Sequence, residues 1–256
     1  MSAAAAACVS AGASAAFVGL SVENSTGLFT GGNHFGPNQA NVTAAWNTFT
    51  QNANYTVYRL YADFDTAGDQ LFNIGIVPGM TPPLEIQVSH ANPPVTGPVV
   101  YNDPDNGVLA PTEAALADPV TARRAFDSFA TIGMDVDNGA NQTAWGPVFG
   151  NIHGLFDVNS GVGVYSADQD TWGVGVNDPQ SFAVPGGSAG YRVLIAQFTV
   201  ADGTVLAGQL SGQWGAGTFV AGEPEIFTFT ASFFVPAPGS VALLALAGLT
   251  VARRRR

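Results

Sequence analysis

The side chains with the most chemistry in this chain are acidic and lie close in sequence. Asp-x-Asp recurs at Asp63/Asp65, Asp103/Asp105, Asp135/Asp137 and Asp168/Asp170. Calcium takes six to eight oxygen ligands, and carboxylates in a loop supply them together with backbone carbonyls. The densest such loop is Asp135-Val-Asp137-Asn138-Gly-Ala-Asn141, so Asp135, Asp137, Asn138 and Asn141 are the candidate calcium ligands. Asp157-Val-Asn159 is a weaker version. Neither has the later Glu of an EF-hand, and Asp and Asn are also the ordinary residues of β-turns, so plain turns are the competing reading.

Three further patterns bear on chemistry. Gly186-Gly-Ser188-Ala-Gly190 matches G-x-S-x-G, but it precedes a strand-like run, whereas a nucleophile elbow needs a following helix. His34, His90 and His153 are far apart and lack zinc-ligand spacing. Trp145 and Trp172 fall in expected loops and are the candidate platforms for stacking a sugar, with packing beneath the loops as the alternative. No cofactor other than calcium is indicated.

These residues are carried by a pattern of short β-strands. In Tyr55–Phe64, residues Tyr58, Leu60, Ala62 and Phe64 share one face, and the charged Arg59 and Asp63 lie on the other. That period of two predicts a strand with one buried and one partly wet face. The same alternation runs through 191–200, 205–214 and 226–234. Asp202-Gly203 between the first two of these is a two-residue hairpin signal. Asp65 to Asp69 is expected to turn the chain back into a second strand. Helix signals are few: Asp118-Pro119 fits an N-cap and first helical residue, predicting a short helix near 119–126, and a second short one is possible around Trp46 and Phe49. The expected fold is all-β, a single antiparallel β-sandwich of jelly-roll type spanning 17–234.

Composition narrows the function. The chain has 256 residues, 19 acidic and eight basic; four of the eight are the last four residues, and there is no lysine. So acidic a body cannot neutralise phosphates, which excludes a nucleic-acid partner. The single cysteine, Cys8, permits no internal disulfide. Residues 1–16 are small and apolar and include Ala13-Ser14-Ala15, the A-x-A form of a signal-peptide cleavage site.

The other end is more specific. Pro236-Ala237-Pro238 is followed by an uncharged run from Gly239 to Ala252 and then by Arg253, Arg254, Arg255 and Arg256. The run falls short of the ~20 residues of a full span, but snorkelling arginines and local thinning of the bilayer accommodate it. A terminal arginine cluster stays on the cytoplasmic side, which sends the body to the far side. This stretch, 235–256, resembles the C-terminal sorting signal of PEP-CTERM proteins, with Ala237 in place of the family's Glu. The resemblance implies export, a transient membrane tether and processing by an exosortase-type enzyme; it implies nothing about the body. The expected protein is an exported, non-catalytic cell-surface or extracellular-matrix component. A secreted carbohydrate-binding module that meets extracellular polysaccharide, and a secreted hydrolase, are the alternatives.

Overall fold

The computed structural model describes residues 16–51, 54–75, 84–90, 98–141, 143–146, 152–157, 159–167, 171–187, 189–217 and 225–235. The expected signal segment before residue 16 and the sorting stretch after Val235 lie outside these.

In chain order the strands are β1 (Phe17–Asn24), β2 (Tyr55–Phe64), β3 (Gln70–Gly75), β4 (Leu84–His90), β5 (Phe129–Ala130) and β6 (Ala144–Trp145). They continue as β7 (Gly163–Ala167), β8 (Thr171–Gly173), β9 (Val184–Gly186), β10 (Gly190–Ala201), β11 (Thr204–Gly215) and β12 (Ile226–Val235). They form two sheets, and every pairing is antiparallel. The first has the order β1-β2-β10-β5, with β9 also on β10; the second has the order β6-β8-β3-β11-β4-β7, with β12 on the far side of β11. The two inner faces bury one core, to which β2 contributes Tyr58, Leu60, Ala62 and Phe64 as its alternation predicts. Leu206, Leu210 and Trp214 of β11 meet them from the second sheet.

Two turns do something other than expected. Asp202-Gly203 and the Asp65–Asp69 turn do not close hairpins; each carries the chain from the first sheet to the second. The reason is that the flanking strands have no free edge for each other. β10 already lies between β2 and β5, and β11 between β12 and the pair β3 and β4. The corner at Asp202-Gly203 is built for the crossing. Gly203 takes φ +91°, His90 Nε2 meets the Asp202 carbonyl at 2.7 Å, and the Thr56 hydroxyl donates to the Asp202 carboxylate at 2.8 Å.

The outer face of β2 is also not wet: all ten of its residues are buried. Strands make up 46% of the described residues, but 20% are helical, more than the weak helix signals suggest. Much of that helix covers this face. Among the described residues there are four short α-helices: α1 (Gly27–Thr30), α2 (Gln39–Phe49), α3 (Glu113–Ala117) and α4 (Ile152–Asp157). α1, α2, α3 and a 3₁₀ turn at Ala122–Phe126 form a second core with Tyr55, Val57 and Ala201. Its centre is aromatic, with ring centroids of Phe126 at 4.8 Å from Phe49 and 5.1 Å from Trp46. At 119–126, where a helix is expected, the chain makes a turn and then the 3₁₀ piece Ala122–Phe126, and Asp118 opens that turn by accepting from the Val120 N–H at 2.8 Å. α3 is a separate helix before it, capped by Thr112, which accepts from the Ala115 N–H. Of the residues from Phe126 to Met134, Phe129–Ala130 pair as a strand.

Candidate functional site

The helical layer leaves a cleft of about 420 Å³ on the outer side of the first sheet. One wall is the loop between α1 and α2, which brings His34 and Phe35; the other is the loop after β5, from Gly133 to Asn138. Both loops are braced from within. The Gln39 side chain accepts from the Phe35 N–H at 3.1 Å and donates to the Leu28 carbonyl at 3.0 Å. Gly133 donates to the Leu194 carbonyl at 2.7 Å with φ +78°, a conformation that favours glycine. The Thr131 hydroxyl donates to the Met134 carbonyl at 2.6 Å and ties the bend.

Where the two loops meet, three side chains come together. The Asp135 carboxylate accepts from His34 Nε2 at 2.5 Å and from Arg59 Nη1 at 2.9 Å. Arg59 stands on β2 and is almost fully buried; its Nε donates to the Gln197 side chain at 3.1 Å. Gln197, on β10, in turn donates to the carbonyls of Ala125 and Asp127 at 3.0 and 2.8 Å. Burial pulls the Asp135 carboxyl up, but the His34 hydrogen bond and the Arg59 charge outweigh that and hold it down at about 2. The group is therefore a permanent anion locked to a cation. It fastens the two loops to the sheet, an arrangement that residues 25 and 101 positions apart make possible only when folded.

The four expected calcium ligands sit on this same loop but face donors of the protein itself. Asp135 is held by Arg59 and His34. The Asp137 carboxylate accepts from the N–H groups of Gly139 and Asn141 at 2.8 and 3.3 Å. Asn138 accepts from Ala140 N–H at 3.0 Å, and Asn141 accepts from Thr143 N–H at 2.9 Å. This is the Asx-turn use of the residues, and an arginine on the first carboxylate opposes a cation there.

The tryptophans correct the sequence reading outright. Trp145 and Trp172 are not in exposed loops; they lie opposite each other on the paired strands β6 and β8. Trp172 is completely buried, and its Nε1 donates to the carbonyls of Thr131 and Ile195, each at 3.2 Å. Trp145 packs on it with centroids 5.1 Å apart, and touches Phe156 as well. Short strands cut by glycine look like loops in a sequence, and the pairing of β6 on β8 is what turns both rings inward.

Of the other expectations, Ser188 lies outside the described residues, and its flanking Gly186 and Gly190 pair across a tight β9–β10 hairpin. No helix follows, so the G-x-S-x-G run is not an elbow. The histidines stay apart: His34 at the cleft, His90 at the Asp202 corner, and His153 edge-on to Trp145 at 5.1 Å. Arg59 is the site residue that sequence reading missed. The signal was present: the body has only four basic residues, and two of them, Arg59 and Arg192, sit inside alternating strands. Chemically, the cleft offers an imidazole on a fixed carboxylate, but no serine, threonine or cysteine lines it among the described residues.

Other carboxylates are buried without a cation. Asp127 accepts from the Asp103 and Ser128 N–H groups, and burial still pushes it well above the usual range. Asp69 is fully buried, and burial raises it to about 6 against the opposing pull of the Gly217 N–H. The sign follows from linkage. The folded state holds a proton on Asp69 that the unfolded state releases, so stability falls as pH rises from about 4 to about 6. Asp69→Asn is expected to raise stability at pH 7.5 by about 1–2 kcal/mol and to flatten the gain otherwise seen on going to pH 5. Urea midpoints at the two pH values check this; an equal gain at both would show that Asp69 is not the titrating group.

Compared with family models, with curated proteins and with solved structures, the chain matches none.

Proposed function

We propose that this is an exported, non-catalytic protein of the cell surface or extracellular matrix. Its two-sheet body is delivered and transiently tethered by the stretch that follows β12, and the jelly-roll class remains the reading of that body. The observation that carries the proposal is the order Pro236-Ala237-Pro238, an uncharged run, and Arg253 to Arg256 directly after the last strand. The membrane and an exosortase-type enzyme are the partners this order implies. Among the described residues no helix is long and apolar enough to cross a membrane; the tether is read from the sequence of residues 235–256.

What favours the non-catalytic reading is the lock itself: the carboxylate that His34 meets in the cleft is already held by Arg59. The carbohydrate-binding alternative loses its stacking platform, because Trp172 is buried and Trp145 is turned onto it. The reading requires no cofactor.

Strand register gives the proposal an orientation. Val235 lies opposite Leu206, next to the Asp202-Gly203 corner, whereas Phe17 lies opposite Phe64 at the other end of the sandwich. On this reading the corner end, with His90 and Asp202, faces the membrane, and the Asp65–Asp69 turn faces away. The test is fractionation of cells making the full chain or a chain stopped after Val235. The stop belongs there because Val235 is wholly buried and part of β12. The full chain is expected with membranes and the shortened one free of them. If both partition alike, the tether is wrong.

A further inference from the structure

We infer that β12 is a docking edge for a second copy of the same strand, paired antiparallel about a twofold axis at Thr230. Edges of sheets are usually blunted by charge, proline, bulges or shortness, because an open edge recruits other strands. The edge strand β1 follows that rule: it has a bulge between Phe17 and Gly19, and its Glu23 holds Arg192 at 2.6 Å. The edge strand β7 is five residues long. β12 has none of these devices. Its ten residues, Ile-Phe-Thr-Phe-Thr-Ala-Ser-Phe-Phe-Val, carry no charge and no proline, and their register on β11 is unbroken. Among the described residues its backbone pairs with β11 alone; β1 meets it through side chains, as in the stack of Phe17 on Phe229 at 4.0 Å.

The strand is held firmly from its inner side. Phe229 and Phe233 lie over Gly212 and Gly208 of β11, so closely that a Cβ on either glycine would fall within 3 Å of a ring carbon. The outer row, Ile226, Thr228, Thr230, Ser232 and Phe234, is exposed. Two large apolar side chains are unusual in such a row: Ile226 is 45% exposed and Phe234 60%.

Those two residues are symmetric about Thr230, and this symmetry names the occupant. In an antiparallel pair centred there, Ile226 of each copy faces Phe234 of the other. Thr228 faces Ser232, and Thr230 faces itself. Both exposed apolar side chains are covered by apolar partners, hydroxyls meet hydroxyls, and no charge is opposed. On the inner row Phe227 faces Phe233, and Phe229 faces Ala231. A shift by two residues along the strand sets Phe234 against Thr228 and loses the match. The pairing joins the second sheets of two copies into one, an isologous interface. The twofold turns the corner ends of the two copies in opposite directions, so both cannot face one membrane, and the pair belongs to chains released from the proposed tether.

The test uses the full chain in detergent, with Cys8→Ser so that introduced cysteines are the only thiols. The parent is expected to sediment at twice its 26.3 kDa mass. Thr230→Lys places like charges on the axis and should weaken the dimer by ~100-fold or more. Its melting temperature should fall by no more than a few degrees, the loss of the 2.9 Å bond between the Thr230 and Ser211 hydroxyls; Ser211→Ala, which loses that bond without adding charge, should stay dimeric. Cross-linking reads the register: directly opposed residues lie within disulfide reach, and residues four positions out of register do not. Thr230→Cys should cross-link with itself. Thr228→Cys and Ser232→Cys should each fail alone and succeed when mixed. A monomeric parent, a dimer indifferent to Thr230→Lys, or self-cross-linking by Thr228→Cys overturns the inference. So does a dimer lost when only residues 236–256 are removed.

Discussion

Arg59→Met is expected to destabilise the protein by about 3–5 kcal/mol, because it leaves the anion and the amide around it without their donor. The Asp135 carboxylate loses its cation, and the buried Gln197 side chain loses the 3.1 Å bond to its oxygen. A methionine of similar length fills the space, so the loss is electrostatic rather than a cavity. The midpoint of urea unfolding should fall with an unchanged slope. Adding Asp135→Asn should recover part of the loss, since an uncharged side chain no longer needs the arginine. A single-variant loss under ~1 kcal/mol would show that the cluster is decoration. The acid limb offers a second check. Asp135 is depressed, so its contribution is complete above the unfolded pKa near 4 and is lost as pH falls towards about 2. In Arg59→Met that limb should begin at higher pH.

Gly133→Ala should be more damaging still, by at least ~4 kcal/mol, to the point that little folded protein accumulates. A Cβ built at Gly133 falls 1.8 Å from the Gln180 carbonyl oxygen, and the backbone φ is +78°. Neither neighbour can yield. The Gln180 side chain is fixed on the Ile132 carbonyl at 2.6 Å and the Thr143 hydroxyl at 2.8 Å. Gly133 itself is drawn to the Leu194 carbonyl on β10. Gly139, six residues on, is the control: it has φ +89° but open space where a Cβ would go. Gly139→Ala should therefore cost only the conformational term, ~1 kcal/mol. Thermal melts of the two variants separate clash from backbone strain. Equal losses would mean that the packing of the cleft wall on Gln180 has been misjudged.

Much of the sheet structure was legible locally. The alternation in 55–64 and 226–234 predicted the right inner faces, because a strand that buries one side writes its apolar residues with a period of two. β12 runs through Val235, one residue beyond the expected limit. α2 was readable only as a faint possibility around Trp46 and Phe49. It has no acidic residue in its first turn and no side-chain cap, so its stability comes from packing its aromatic side on Phe126.

The cleft was less legible. Asp135 was picked out for its neighbours in sequence, Asp137 and Asn138, but its partners in space are His34 and Arg59. A short-range pattern of oxygens does not reveal whether a cation of the protein is already present. The two tryptophans failed for a related reason. Strands of two and three residues leave too little periodicity to show which way a side chain points.

What the sequence determined by itself is the character of each stretch: which strand faces are apolar, an acidic body without lysine, and apolar segments at both ends, the C-terminal one closed by arginines. Those follow from composition and spacing, which act locally. What only the tertiary structure decided is what lies against each stretch. Asp202-Gly203 became a corner because β10 and β11 had both edges filled by other strands. The outer face of β2 became dry because helices from distant segments settled on it. Arg59, His34 and Asp135 became one cluster because that burial left a guanidinium in need of an anion. Contacts of this kind are set by competition among all surfaces of the chain for the same partners, and no window of sequence contains that competition.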